Sequence, residues 1–262
     1  NIGTRAVEET DGIPTNNETV LHSLRVYAFV DGQPAGHFYT KDGLDVNNPS
    51  FLMHLTMYST MTQKVDFYVV ANEAAMETPG SSVLLTENTT ETQLNHFTFT
   101  KLNTSKGLPM FCKQTETIDL TQLSDKTPAD PGHAGHTLLR QDLTFELKRP
   151  IGKLGVFAAK PVGENSSLRV TGLTVLASGT RTRNYLMPQT DETLKAITGI
   201  TGDISLEVVE EEVTKTLAEN ASQTDKENPA NYTPVLNGSF YLFENPWGST
   251  SWDVKGDNDG NV

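Results

Sequence analysis

The alternation of apolar and polar positions is densest between Thr137 and Ala177, where it predicts three strands in succession. Leu139, Leu143, Phe145 and Leu147 fall on one side of the pattern and Asp142, Thr144, Glu146 and Lys148 on the other, the mark of a half-buried strand. Arg149, Pro150 and Gly152 break that run. Leu154, Val156 and Ala158 then alternate with Gly155, Phe157 and Ala159, so both faces are apolar and this strand is expected at the centre of a sheet. Leu168, Val170, Leu173 and Val175 carry a third strand whose alternation slips at Gly172, which predicts a bulge. Such strands bury an apolar face only against a second layer, so an all-β sandwich is the expected architecture.

Elsewhere the same reading supplies further strands. In Val20 to Thr40, Leu24, Val26, Ala28 and Val30 alternate with Arg25, Tyr27 and Phe29; Asp31-Gly32 then offers a hairpin turn, and Pro34 marks the returning strand as an edge. Phe51 to Met61 fits both helical and strand spacing, with the strand preferred. Lys64 to Asn72 is apolar on both faces and belongs in the middle of a sheet. Glu73 to Gly80 reads as a short helix or loop, Leu94 to Leu102 and Thr115 to Ser124 as strands, and Asp125 to Gly135 as an irregular loop. Asn1 to Thr19 is polar and aperiodic, a flexible leader.

Thr180 to Pro188 mixes charge, Asn and Pro, and places a domain boundary there: residues 1–186 with the leader, then 187–262. The second part predicts a short helix in Thr190 to Thr198, strands within Ile204 to Leu217 and Val235 to Phe243, and a long exposed loop over Glu219 to Thr233. So few strands rarely stand alone, and 187–262 reads as an incomplete sandwich ending in a polar, Gly-rich tail.

Composition narrows the function classes. With 262 residues the chain can bury a substantial core, and its one cysteine, Cys112, rules out an intrachain disulfide. The 20 basic and 33 acidic residues give a formal charge of −13, which opposes binding to nucleic acid or anionic lipid. No apolar run is long enough to span a bilayer, and no signal peptide opens the chain, which reads as a mature or trimmed form.

Candidate chemistry is sparse. His133 and His136, with Asp130 nearby, have the spacing of a partial metal site but lack a third ligand and sit in a Pro/Gly loop. Asp257, Asp259 and Gly260 suggest part of a calcium loop, yet Lys255 occupies its first ligand position, and a solvated tail fits better. Cys112 lies among apolar residues and reads as a packed side chain rather than a nucleophile. The six histidines form no catalytic constellation in sequence, no hydrolase or phosphate-binding motif occurs, and no enzyme activity, metal or cofactor is expected. Trp247 and Trp252 are either a carbohydrate-stacking platform or buried packing. Arg5 is the leader's one basic residue: a solvated side chain, or the target of a trypsin-like protease. The Asn-x-Ser/Thr sites at Asn17, Asn88, Asn103, Asn165, Asn220 and Asn237 carry no claim in a chain so rich in these residues.

Several of these stretches resemble the fimbrial subunits of Bacteroidales, the type V pilins and their anchor and tip relatives: SLRVYAFVDGQPAGHFY, KVDFYVVAN, the LPM of Leu108 to Met110, FELKRPIGKLGVFAAK, VTGLTVLASGTRTRNYLMP and FYLFENPWGS. The resemblance implies two transthyretin-like, Greek-key β-sandwich domains with few helices. It also implies export as a lipoprotein, removal of a leader at Arg5 with cleavage before Ala6, and polymerisation with other fimbrial subunits at the outer surface by strand exchange. Adhesion to a host or bacterial surface ligand would follow, without a cofactor. The lipid-bearing cysteine expected of such a precursor has no counterpart here, and the family's last strands beyond the ENPWG region are expected to be missing. The alternative class is a monomeric cell-surface carbohydrate-binding module using the two tryptophans.

Overall fold

Asp31 and Gly32 set the first sheet. Their φ angles of 49° and 76° place both in the left-handed region, the type I′ geometry that matches the twist of flanking strands. A computed structural model describes residues 2–3, 20–41, 51–59, 61–78, 85–124, 138–139, 142–176, 181–196, 203–244 and 252–258. Among these, the residues up to Pro150 together with Tyr185–Pro188 form one unit, and those from Ile151 to Asn184 and from Gln189 onward form another.

The first unit contains β1 (Ile2–Gly3), β2 (Leu24–Val30), β3 (Gln33–Thr40), β4 (Thr62–Ala71), β5 (Met110–Asp119) and β6 (Phe145–Glu146). Four of them make an antiparallel sheet in the order β3–β2–β4–β5. The hairpin is as the alternation predicts, β4 lies inside the sheet, and Pro34 sits on edge strand β3, opposite Phe29, where the register shifts.

Both faces of this sheet are buried, which is why β2 and β4 read as nearly continuous apolar runs. Leu24, Val26, Ala28, Val30, Val65, Phe67, Val69, Ala71, Met110 and Cys112 line one face, packed with Phe145, Leu147 and the half-buried Phe51, Met53, Leu55 and Met57. Tyr27, Phe29, Tyr68, Val70 and Phe111 line the other, covered by Leu85, Leu94, Leu186 and Met187. Helix α1 (Glu91–Asn95) delivers Leu94; it starts at a capping box in which Thr90 and Gln93 satisfy each other's amides.

The second unit contains β7 (Ile151–Leu154), β8 (Leu168–Val175), β9 (Ile204–Leu206), β10 (Phe240–Phe243) and β11 (Trp252–Asn258). It also holds α2 (Asp191–Lys195) and α3 (Gln223–Glu227), each started by a side-chain cap from Thr190 or Ser222. β8 lies between β9 and β11, and its register shifts between Val170 and Gly172, the bulge expected at that glycine. β7 pairs with β10. A small core of Val170, Val213 and Val235 is backed by Val156, Ala158, Leu168 and Val208. Lys160, only 9 % exposed, reaches the Ser166 carbonyl at 3.2 Å and Glu212 at 3.1 Å.

The structure corrects several expectations. The central strand expected over Leu154 to Ala159 is split: Ile151–Leu154 pairs with Phe240–Phe243, and Phe157–Ala158 with Thr233–Pro234, so neither piece lies inside a broad sheet. Phe51 to Ser59 has the period-two burial of an extended segment without joining a sheet; the Thr56 amide bonds to the Ala35 carbonyl at 2.6 Å. Leu94 belongs to helix α1, and strand pairing in Leu94 to Leu102 is confined to Thr98–Phe99 and Lys101–Leu102. The Glu219 to Thr233 loop holds α3 and a 3₁₀ turn at Pro229–Asn231. The leader contributes β1, and the polar tail contributes β11. The chain passes between units at Pro150, ahead of the Thr180 to Pro188 boundary read from composition, because β7 and β8 pair with strands far along the chain. Among the described residues no helix is long and apolar enough to cross a membrane.

Candidate functional site

The sheet edge beyond β5 is finished by the chain itself. Phe111 donates its amide to the Lys148 carbonyl at 2.8 Å and accepts from the Lys148 amide at 2.8 Å, and the Gln114 side-chain amide reaches the Thr144 carbonyl at 3.3 Å. The segment alternates as the sequence pattern requires: Phe145 and Leu147 are buried, Glu146 and Lys148 exposed. The Phe145 ring lies 5.4 Å from that of Phe67, so the edge segment is anchored in the core by its side chains. β1 then pairs in parallel with β6, Ile2 opposite Phe145 and Gly3 opposite Glu146. A two-residue parallel pairing contributes few hydrogen bonds and leaves little to hold it once the chain next to it is cut.

On the opposite edge, the hairpin carries a buried ion pair. Arg25 lies within the apolar run of β2, its side chain 9 % exposed. Its Nε and Nη2 donate to Glu73 at 2.6 and 2.8 Å, its Nη1 donates to His37 Nε2 at 2.9 Å, and its guanidinium lies 3.9 Å from the centre of the Tyr39 ring. Burial opposes the charge on Arg25, but the hydrogen bonds and charge of Glu73 outweigh it and hold the guanidinium above its ordinary range. The His37 ring is tilted against Tyr27, 5.1 Å between centres. Burial and then the neighbouring Arg25 charge hold this imidazole below its usual range, against the pull of Glu87 and Glu73. Tyr68 donates to Glu91 at 2.7 Å; burial, and then that bond, push its phenol well up.

At the end of β4, Asn72 takes φ 55° and is 1 % exposed. Its Oδ1 accepts from the His22 amide at 2.7 Å, and its Nδ2 donates to the carbonyls of Val20 and Leu108, both at 2.9 Å. Three chain segments are thereby held at one side chain.

The residues singled out from sequence are distributed as follows. Arg5, Ala6, Trp247, Asp130, His133, His136, Asp259 and Gly260 lie outside the described residues. Trp252 opens β11 opposite Val175, and Asp257 lies opposite Arg169, so that stretch is a paired strand rather than a solvated tail. Cys112 packs in the first core, and burial raises its thiol pKa, which lowers the fraction of reactive thiolate. Among the described residues no group of three or more His, Cys, Asp or Glu is placed to hold a metal ion. The Arg25 cluster and Asn72 were missed; an arginine inside an otherwise apolar strand was the available signal for the first.

No protein-family model matches the chain, and no curated protein matches it. Solved structures do. A fimbrial assembly protein of Parabacteroides distasonis aligns over 94% of this chain and 77% of its own, at 13% identity and a TM-score of 0.50. The chain shares the fold of Bacteroidales fimbrial proteins. A candidate cell adhesion protein of the same organism aligns over 98% of this chain and 72% of its own, at 14% identity and a TM-score of 0.50. The tip fimbrial protein Mfa3 of Porphyromonas gingivalis, truncated at its C-terminus, aligns over 93% and 95% at 13% identity, with a TM-score of 0.41.

Proposed function

We propose that this chain is a non-enzymatic structural subunit of a bacterial surface fimbria, joined to other fimbrial subunits by strand exchange and supporting adhesion. The carrying observation is the pairing of β1 with β6, because Arg5 lies two residues beyond β1 and stands between it and the rest of the chain. Cleavage before Ala6 cuts the covalent tie that holds Ile2–Gly3 on Phe145–Glu146. Release of the leader then leaves the backbone groups of β6 for an incoming strand, which completes the sheet by main-chain hydrogen bonds. The fold shared with a fimbrial assembly protein supports the same reading. On this reading the two units are transthyretin-like sandwiches, the subunit is exported as a lipoprotein to the outer membrane surface, and no cofactor takes part.

The test is digestion of purified protein with an Arg-specific protease, followed by sizing. The expected result is loss of the leader and a ladder of oligomers from wild-type protein, and persistent monomer from Arg5→Ala. Monomer from both, with the leader removed from the wild type, overturns strand exchange at this edge. A glycan affinity that survives in such a monomer favours a carbohydrate-binding module.

A further inference from the structure

We propose that His37 is an acid-sensitive latch on the edge strand of the first sheet: protonation at Nε2 ends its hydrogen bond with Arg25 and loosens β3 from β2. The geometry allows no other outcome at that nitrogen. Arg25 Nη1 is a donor in every protonation state reached in water, so a contact of 2.9 Å requires an unprotonated Nε2 as acceptor. A proton there sets two donors and two cations against each other. Arg25 cannot yield, because Glu73 holds two of its nitrogens and Tyr39 lies against its face. His37 is the half-buried member and the one that leaves.

The groups facing His37 are Arg25 and Tyr27 from β2, Glu73 from the turn after β4, and the exposed Glu87, with Tyr39 of β3 stacked on the Arg25 guanidinium beside it. His54 belongs to the neighbouring extended segment, with its carbonyl close to Gly36 of β3. Only Glu73 and Glu87 favour the imidazolium, and Glu73 is committed to Arg25. Because the folded chain favours neutral His37, the latch is complete above the unfolded value of about 6.5 and is lost as pH falls from there through the lowered folded value. β3 is the strand where this matters, since it pairs along one side with β2 and carries the register shift at Pro34. The inference stands independently of the fimbrial reading.

The test is amide hydrogen exchange in the full chain at about pH 7.5 and about pH 5, corrected for intrinsic rates. Expected is a fall of about threefold or more in the protection of β3 relative to β5 on acidification. His37→Gln, which offers a neutral acceptor, should lose that response, and His54→Gln should keep it. An identical response in wild type and His37→Gln overturns the proposal. Should His37→Gln not fold, NMR titration of the wild-type imidazole decides it. A midpoint below about 6.5 that moves with the β3 amides supports the latch, and one at or above that value overturns it.

Discussion

Replacing Asn72 with alanine removes an acceptor from the His22 amide and donors from the carbonyls of Val20 and Leu108, at bonds of 2.7, 2.9 and 2.9 Å. Asn72 itself is 1 % exposed and its bond to the Leu108 carbonyl is buried, while the bonds to His22 and Val20 are part-buried, so each stranded partner costs about 1 kcal/mol. The φ of 55° adds a left-handed penalty of about 1 kcal/mol for alanine, which glycine avoids. Asn72→Ala should therefore destabilise the first unit by about 4 kcal/mol, and Asn72→Gly by about 1 kcal/mol less. Urea denaturation followed by the fluorescence of the first unit's tyrosines, with the slope checked for constancy, measures both. The reasoning fails if Asn72→Ala costs under about 1 kcal/mol, or if glycine is worse than alanine, because the second result would show that the backbone angle is not what asparagine supplies.

Three further outcomes follow from the same geometry. Glu73→Gln leaves the Arg25 charge uncompensated inside β2 and should cost about 3 kcal/mol in thermal or urea unfolding, while Arg25→Met with Glu73→Leu should recover most of the loss. Phe145→Ala empties a site that is 4 % exposed beside Phe67 and should cost about 3 to 4 kcal/mol, read by the same denaturation. The Cys112 thiol has its pKa raised by burial, so less thiolate forms as pH rises through its usual range. An aromatic disulfide reagent at mildly alkaline pH should label it on the order of 100-fold more slowly in folded than in urea-unfolded protein.

Local signals were legible where chemistry between neighbours decided the structure. The Asp31-Gly32 hairpin, the Pro34 edge and the Gly172 bulge each depend on residues within one turn or one strand pair. The capping box of Thr90 and Gln93 was equally local, although Phe97 and Phe99 suggested a strand over Leu94 to Leu102. β11 was hidden because Asp253, Lys255 and Asp257 mimic a solvated tail; its strand state comes from pairing with Leu168–Val175, whose own apolar pattern was plain. Phe51 to Ser59 shows the converse, with burial alternating as in a strand but without the ladder of one. Glu73, which pairs with Arg25, and the partners of Asn72 lie dozens of positions away, and only the folded sheet brings them together.

Pro34 has a bearing on how the first sheet accepts company. Without an N–H it denies one rung to any strand approaching along β3, and the register shift beside it bends the ladder away from a straight template. The far margin is closed by the molecule's own Phe145–Lys148 and a two-residue clip. If subunits join by strand exchange as proposed, growth of the sheet has a direction: an extra strand is disfavoured on the Pro34 flank and enters on the other only after something already there has gone.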